Sequence, residues 1–320
     1  MHAAVLRALG KPPRFEEFPD PIPGEGEALI NVSAAALKPV DKQMAAGTHY
    51  ASPREFPVVC GMDGVGRLED GGTRVFFGGA RRPYGAMAKR AVVRRVQCFS
   101  VPEELDDVTA AAIPNPGVSA WLSLKHSAKL AAGETVLILG ATGVTGKLAV
   151  QIAKILGAGR VVAAGRNPQV LSSLHELGAD STIRLDKPDE ELVAAFRREA
   201  GEKRFDVIID YLWGRPTEAL LKAITGKEFA LGESETRLVE VGESAGPTIA
   251  LPAAVLRSTA LTILGTGGMP SWDILTGAFQ QVMNHAASGK LRIETERVPL
   301  AEIEEAWERD AHARRLVVIP

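Results

Sequence analysis

Apolar and polar positions alternate differently in two parts of the chain. Between residue 3 and about residue 101, short apolar segments such as EALINVSAAAL, TRVFFGG and AKRAVVRRVQCFSV alternate with turns rich in glycine and proline, for example PDPIPGEGE. Such segments are typical of strands, and closely spaced turns between them favour antiparallel pairing. The first hundred residues therefore predict a twisted antiparallel β-domain.

The pattern changes after Pro102, where apolar strands begin to alternate with helical segments. Helices are predicted at NPQVLSSLHELGA and PDEELVAAFRREAG, with a linker helix near VSAWLSLKHSAKL. Six strands are predicted, at TVLILG, RVVAAG, DSTIRL, FDVIID, RLVEVG and LTILG. Strands joined by helical crossovers form a doubly wound parallel sheet, so this part of the chain predicts an α/β domain.

The last stretch of the chain predicts a helix, a strand, a second helix and a final strand, and we expect it to return to the first domain. The expected boundaries are 1–112 with 290–320 for the β-domain, and 113–289 for the α/β domain. A chain of 320 residues exceeds the usual size of a single hydrophobic core, which agrees with two domains.

Composition and charge exclude several classes of function. The 37 basic and 39 acidic residues give a net charge of −2, which offers no electrostatic footprint for nucleic acid or for an anionic membrane. The N-terminal residues do not follow the pattern of a secretory signal, and no apolar run reaches the ~18 residues of a transmembrane helix. Two cysteines, Cys60 and Cys98, without a CxxC pair argue against disulfides and a cysteine-built zinc lobe, so we expect a cytoplasmic protein by default.

One glycine-rich turn carries the clearest chemical signal. In VLILGATGVTGKLAVQIAKILG, Gly140 ends a buried strand, Gly143 permits close approach of a ligand to the backbone, and Gly146 lies early in the following helix. A helix N-terminus presents free N–H groups and a partial positive charge, which suit a pyrophosphate. A plain tight turn between strand and helix is the alternative. The cofactor-binding residues expected in this turn are Gly140, Ala141, Thr142, Gly143, Val144 and Thr145.

The end of the second strand of this domain indicates which dinucleotide binds. An acidic residue there would bind the ribose hydroxyl of NAD, but the chain has Gly165, Arg166 and Asn167. A guanidinium matches the geometry of a phosphate, and no carboxylate is present to repel one. We therefore expect NADPH as the cofactor, the alternative being that Arg166 is a solvated residue at a strand end.

Together these motifs resemble the medium-chain dehydrogenase/reductase superfamily, specifically its zinc-free quinone oxidoreductase branch. The resemblance rests on PVDKQMAAGTHY, FPVVCGMDGVGRL, AAIPNPGVSAWLSL, AGETVLILGATGVTGKLAVQIAKILGA and LGAD, in the order and spacing of that family. It implies a GroES-like β-domain beside a Rossmann domain with a six-stranded, doubly wound parallel sheet, and an active site in the cleft between them.

The resemblance also implies that no catalytic zinc is bound. Where the zinc-containing branch has ligands, this chain has Lys38 before Asp41, Met62 and Asp63 after Gly61, and the pair Asn115-Pro116. Without a Lewis acid, the expected reaction is NADPH-dependent hydride transfer to a quinone or an activated alkene or enone. The alternative is a non-catalytic NADPH-binding scaffold, crystallin-like or redox-sensing.

The remaining expected site residues also follow from the resemblance. Lys38 and Tyr50 are the expected catalytic residues, with Lys38 stabilising the oxygen that becomes negative; the alternatives are that Lys38 pairs with a carboxylate or extends into solvent and that Tyr50 only packs in its loop. Further cofactor contacts are expected at Ser119, Gly242, Gly265 and Thr266. Because the apolar strand LTILG would form a sheet edge, and because the family commonly pairs this edge, we expect a homodimer.

Overall fold

The computed structural model describes residues 1–201, 204–225, 235–268, 270–311 and 313–320. This part of the chain forms two compact units. The first comprises Met1–Pro114 and Met283–Pro320, and the second comprises Asn115–Val282.

The strands are numbered in chain order through both units. They are β1 His2–Leu6, β2 Arg14–Glu17, β3 Glu27–Ala36, β4 Val58–Val59, β5 Asp63–Leu68, β6 Arg74–Gly78, β7 Arg90–Arg94, β8 Cys98–Ser100, β9 Thr135–Leu139, β10 Arg160–Gly165, β11 Ser181–Arg184, β12 Val207–Asp210, β13 Thr236–Glu240, β14 Leu261–Gly265, β15 Thr295–Pro299 and β16 Arg315–Ile319.

The helices are numbered in the same way. They are α1 Pro39–Ala46, α2 Asp107–Ala112, α3 Pro114–Trp121, α4 Val144–Ile155, α5 Pro168–Ser173, α6 Asp189–Ala200, α7 Gly214–Ile224, α8 Ala253–Ser258, α9 Trp272–Ala287 and α10 Ile303–Glu308. A π-helical segment, Leu122–Ser127, follows α3, and short 3₁₀ turns occur at Arg95–Gln97 and Leu300–Glu302.

The first unit is built from mainly antiparallel strands, as the spacing of its turns predicts. One sheet has the order β15-β16-β3-β5-β6-β8, with β7 also paired to β3, and a smaller sheet has the order β2-β1-β4. The two C-terminal strands complete the larger sheet because β16 pairs antiparallel with the end of β3. Its core contains Ile30, Phe77, Val93 and Leu316, all buried.

Two details of this unit differ from the expected strands. The segment AKRAVVRRVQCFSV is not one strand, since a 3₁₀ turn at Arg95–Gln97 separates β7 from β8. The pair β15 and β16 is parallel, which antiparallel turn spacing does not predict, because α10 carries the chain back between them.

The second unit is the predicted doubly wound sheet. Its six parallel strands have the order β11-β10-β9-β12-β13-β14, so the order reverses beside β9, where the chain passes to the other half of the sheet. Ligands of such sheets bind outside the carboxyl ends of the strands at this reversal. The central strands β10, β9 and β12 are buried along nearly their whole length, as at Leu137, Val162 and Ile208, which is why their sequences are largely apolar. The edge strands β11 and β14 are mostly half-exposed.

Candidate functional site

The glycine-rich turn lies at the carboxyl end of β9, at the reversal of strand order. Gly140 has a φ of +84°, in the left-handed region that favours glycine, and its N–H donates to the carbonyl of Ala164 over 3.0 Å. Gly143 has extended backbone and immediately precedes α4, and it is exposed. The turn therefore presents backbone and a helix N-terminus to solvent, which is the geometry that binds phosphate groups.

Gly146 shows why the first turn of α4 needs a residue without a side chain. A Cβ atom at this position would lie 2.2 Å from the carbonyl oxygen of Gly140 and 2.6 Å from the Cα atom of Ala141. Both obstacles are backbone atoms, so no rotamer change can relieve the overlap. The helix packs directly on the turn that precedes it, and this contact fixes the position of the turn.

The end of β10 adjoins the same turn. A Cβ atom at Gly165 would lie 2.4 Å from Cγ2 of Thr142, so the small residue lets the two loops meet. Arg166 follows and is exposed, and its guanidinium has no hydrogen-bond or ion-pair partner within the described part of the chain. Asn167 uses its side-chain oxygen to cap α5, accepting from the N–H groups of Gln169 and Val170.

Four other expected cofactor residues lie in the second unit, and they differ in their hydrogen bonds and in the space around them. Ser119 lies in α3, and its carbonyl accepts a hydrogen bond from the hydroxyl of Ser123. Gly242 follows β13, and its N–H donates to the carbonyl of Asp210 over 3.2 Å. Gly265 ends β14 with open space around it, and the hydroxyl of Thr266 donates to the carbonyl of Glu240.

A buried carboxylate, missed by sequence reasoning, holds the loop after β12. Asp210 is fully buried and accepts hydrogen bonds from the backbone N–H of Leu212 at 2.8 Å, that of Trp213 at 3.0 Å, and the hydroxyl of Thr217 at 2.5 Å. Burial raises the pKa of Asp210 above its ordinary value, and these hydrogen bonds oppose that effect. Asp210 thus fixes the backbone beside the glycine-rich turn, where a Cβ atom at Gly140 would lie 3.2 Å from the Cβ atom of the neighbouring residue Tyr211.

In the first unit, Lys38 lies at the junction of β3 and α1 and is 1% exposed. Its Nζ atom donates to the carbonyl of Ala36 at 2.9 Å and to Oδ1 of Asp63 at 2.9 Å, and it lies 3.3 Å from Oδ2 of Asp41. Two of its three N–H donors therefore make hydrogen bonds, and Asp41 adds an ion pair. The structure therefore shows Lys38 paired with carboxylates.

The surroundings of Lys38 form a cluster of two cations and two anions. Asp41 also accepts from the backbone N–H of Lys38 at 2.9 Å and of Met62 at 3.2 Å. Arg315, at the start of β16, donates to the carbonyl of Leu37 at 3.0 Å. Burial works against the ammonium charge, but the charges of Asp41 and Asp63 outweigh it and raise the pKa of Lys38, so the group stays protonated.

Tyr50 lies beyond α1 in an exposed loop of the first unit. It is 96% exposed, and its ring contacts that of His49 with centroids 4.1 Å apart. Its hydroxyl has no hydrogen-bond partner in the described residues, so it can donate to a ligand without losing another contact.

Comparisons with known proteins decide the family. The alcohol dehydrogenase GroES-like domain family matches residues 24–103, and the zinc-binding dehydrogenase family matches residues 144–285. A probable NADPH-dependent quinone reductase of Emericella nidulans is 26% identical over the full length of both chains, and the quinone oxidoreductase of Lama guanicoe is 35% identical over 205 residues. The chain belongs to the medium-chain dehydrogenase/reductase superfamily, in its quinone oxidoreductase branch.

The solved structures of medium-chain dehydrogenases/reductases agree with the fold. The quinone oxidoreductase of Thermus thermophilus, solved alone and in complex with NADPH, is 28% identical with a TM-score of 0.80, and the match covers all of both chains. The match to the Lama guanicoe protein covers 60% of this chain and 59% of that relative. The resemblance inferred from the motifs and the expected fold class are therefore confirmed.

Two buried charged residues of this medium-chain dehydrogenase/reductase, Asp210 and Arg315, were not predicted from its sequence. Asp210 ends an apolar strand, where an acidic residue is ordinarily solvated, and only its three donors identify it as buried. Arg315 lies far along the chain from Leu37, whose carbonyl it binds. A charged residue at one end of an apolar strand is the only sequence feature that could have pointed to either.

Within the part of the chain that the structure describes, no helix combines the length and the apolar character needed to span a membrane.

Proposed function

We propose that this protein is an NADPH-dependent, zinc-independent oxidoreductase that transfers hydride to quinones or to activated alkenes and enones. The observation that carries the proposal is the phosphate-binding turn after β9, with the unpaired guanidinium of Arg166 at the end of the adjacent strand. The full-length matches to an NADPH-dependent quinone reductase and to a quinone oxidoreductase crystallised with NADPH support it.

The residues present fit the cofactor. Gly140 turns the chain after β9 with a positive φ, and Gly143 leaves the turn open to a ligand. The first N–H groups of α4 would hold the pyrophosphate. Arg166 would hold the 2′-phosphate, and Gly242, Gly265, Thr266 and Ser119 are proposed for the rest of the cofactor. When bound, the nicotinamide supplies the hydride, and the protein supplies position and electrostatics.

Lys38 and Tyr50 are the proposed donors to the acceptor's oxygen. Hydride transfer to the carbon skeleton of a quinone or enone leaves negative charge on this oxygen, which a hydrogen-bond donor stabilises. The hydroxyl of Tyr50 is free to donate. The ammonium of Lys38 acts directly only if it releases Ala36, Asp63 or Asp41, and otherwise acts by holding Asp41 and the loop at Met62 in place.

A catalytic zinc ion does not fit the residues of the first unit. At the position where the zinc-containing branch has its first ligand, the Nζ atom of Lys38 is a cation without a lone pair and already lies among the nearby carboxylates. Met62 replaces the second ligand. The described residues also contain no group of three or more His, Cys, Asp or Glu side chains arranged to hold a metal.

An acceptor screen tests the proposed function. The purified protein is supplied with NADPH or NADH in parallel and with 1,4-naphthoquinone, 9,10-phenanthrenequinone, an alkenal and a cyclic enone, and oxidation of the nicotinamide is followed at its absorbance maximum. We expect steady NADPH oxidation with a quinone. Tight NADPH binding without turnover across the whole panel would instead support a non-catalytic scaffold.

Replacing Arg166 by alanine should change cofactor preference. Loss of one charge-assisted contact to the 2′-phosphate costs on the order of 1.5–3 kcal/mol, so NADPH should bind roughly 10- to 100-fold more weakly while NADH binding stays within a few-fold. Fluorescence titration of both nucleotides measures this. Arg184→Ala is the control, because Asp186 already binds the guanidinium of Arg184 at the end of the adjacent strand. An equal loss for both nucleotides in Arg166→Ala contradicts the assignment.

Removal of metal should leave the protein unchanged. After dialysis against a strong chelator, the thermal midpoint and the rate of quinone reduction should both match those of untreated protein, because the ammonium of Lys38 already pairs with the buried carboxylates. Metal analysis of the purified protein provides the control. One equivalent of zinc that is lost together with activity would overturn the proposal of zinc independence.

The exposed edge of the second unit supports a homodimer. Among the described strands, β14 pairs only with β13, and one side of its apolar segment LTILG is left without a neighbouring strand. Unpaired apolar edges favour pairing with a second copy. Light scattering at micromolar concentration should give a mass of about twice the 34.0 kDa chain. A mass equal to that of the single chain contradicts this proposal.

A further inference from the structure

Two cavities lie within the first unit, and they share the residues Val58 and Arg82. The large cavity, of about 620 Å³, lies between the end of β2 and the loop that precedes β4. The small cavity, of about 230 Å³, extends toward Asp41 and Met62. The large cavity has the size of sites that hold drug-sized ligands.

The walls of the large cavity are aromatic and rigid. Phe18, Phe56 and the prolines at positions 53, 57 and 83 line it. The ring of Phe18 is held by an edge-to-face contact with Tyr84, with centroids 5.9 Å apart. Flat apolar walls of this kind favour a planar aromatic ligand, since they offer contact area at little conformational cost.

The polar groups of the large cavity favour an anion. Arg82 donates from Nη2 to the carbonyl of Ala51 at 2.8 Å, and its other donors have no partner among the described residues. Arg54 likewise has no partner there, while Glu55 is the one acidic residue of the lining. The hydroxyl of Ser52 is buried and makes no hydrogen bond. A buried hydroxyl without a partner is costly and marks a place where a ligand supplies one.

The charge of Arg82 also reaches into the small cavity. Burial raises the pKa of the Cys60 thiol, Asp41 raises it further, and the positive charge of Arg82 opposes them. Asp41, which lines this cavity, is paired with Lys38, whereas Arg82 has no carboxylate partner among the described residues at the junction of the cavities. The neutral thiol is a poor nucleophile, which protects Cys60 from an electrophilic ligand such as a quinone.

We infer that the large cavity binds a planar aromatic ligand that carries an anionic group, with Arg82 contacting that group and Ser52 donating to it. Resting on the proposed function, the ligand is the hydride acceptor, and the preferred acceptors are quinones bearing a sulfonate, a carboxylate or an ionised hydroxyl. A guanidinium binds such groups through two parallel N–H donors, which neutral quinones cannot exploit.

Steady-state kinetics with a matched pair of acceptors test the inference. For 1,4-naphthoquinone-2-sulfonate, Arg82→Met should lower kcat/KM about 10-fold more than for 1,4-naphthoquinone, the loss corresponding to one charge-assisted contact at a solvent-exposed residue. The readout is kcat/KM for 1,4-naphthoquinone-2-sulfonate divided by kcat/KM for 1,4-naphthoquinone, determined in each variant. A purely structural role of Arg82 lowers both kcat/KM values equally and leaves this ratio unchanged. An unchanged ratio in Arg82→Met overturns the inference.

Arg81→Met is the matched control. Arg81 precedes Arg82 but binds Glu27 and the carbonyl of Ile22, and it lines neither cavity. Its substitution should leave the ratio within about 2-fold of wild type, since surface ion pairs contribute little. A ratio that falls as much in Arg81→Met as in Arg82→Met shows a general charge effect and contradicts a specific site.

Calorimetry with naphthalene-2-sulfonate, which cannot be reduced, separates this inference from the proposed function. If naphthalene-2-sulfonate binds to the full-length wild-type protein but not to Arg82→Met, and no quinone, alkenal or enone of the panel is reduced, the ligand site is supported and the proposed function is overturned. Quinone reduction without sulfonate binding and without a change of ratio supports the function and overturns the site.

Discussion

Replacing Lys38 by methionine is expected to lower the free energy of unfolding by about 3–5 kcal/mol. Methionine keeps most of the apolar part of the side chain but removes the ammonium, so the buried Asp63 and Asp41 lose the cation with which both are paired. An uncompensated buried charge costs more than the pair contributes, because the carboxylate keeps its desolvation penalty. Urea unfolding followed by circular dichroism measures the loss.

Two further variants show whether the loss comes from the ion pair. Lys42→Met lies one turn further along α1, where Lys42 makes no ion pair in the described residues, and should change stability by less than about 0.5 kcal/mol. The double variant Lys38→Met with Asp63→Asn should recover part of the loss, because the uncompensated carboxylate is then neutral. A loss below about 1 kcal/mol in Lys38→Met contradicts a fully desolvated pair and leaves Lys38 available to contact the acceptor directly.

Replacing Gly146 by alanine is expected to cost about 3 kcal/mol of stability and to abolish measurable NADPH binding at micromolar concentration. The new Cβ atom would lie 2.2 Å from the carbonyl oxygen of Gly140, so the helix and the turn must separate. The turn that would hold the pyrophosphate then moves away from α4 and its N–H groups. Thermal unfolding and nucleotide titration measure the two effects.

Gly143→Ala separates stability from cofactor binding. A Cβ atom at Gly143 meets only the carbonyl of Gly140, at 3.4 Å, and its φ of −79° suits any residue. Stability should therefore stay within about 1 kcal/mol of wild type, with a small gain from reduced freedom of the unfolded chain. NADPH binding should fall, because the methyl group enters the space left for the phosphates. If Gly146→Ala is as stable as Gly143→Ala, the packing of α4 on the preceding turn does not require glycine at position 146.

The position that holds the first zinc ligand in the zinc-containing branch carries a positively charged side chain, Lys38, in this chain. A lysine tethered to β3 supplies one positive charge among the carboxylates of the first unit, with Nζ 2.9 Å from Oδ1 of Asp63. The charge is part of the polypeptide and cannot be lost by chelation. In the same arrangement the ammonium of Lys38 donates to Ala36 and Asp63 and pairs with Asp41, so a direct bond to an acceptor would have to replace one of these contacts.

The sequence by itself determined the parts of this protein that depend on local pattern. The central strands of the second unit are largely apolar because both faces of the parallel sheet are covered there, so the strand positions and the crossovers between them can be read from the chain. The glycine-rich turn can be read as well, because Gly140 has a positive φ and Gly146 packs against the backbone of Gly140, so both requirements arise within a few residues.

Only the tertiary structure decided which charged groups are buried and what they contact. Lys38 and Asp63 are 25 positions apart, and Arg315 lies 278 positions from the carbonyl that it binds. Arg81 and Arg82 are adjacent in sequence, yet one binds Glu27 at the surface and the other lines both cavities. The role of a charged side chain depends on the dielectric and the partners around it, and these are set when distant segments pack together. Local sequence pattern carries no record of those contacts.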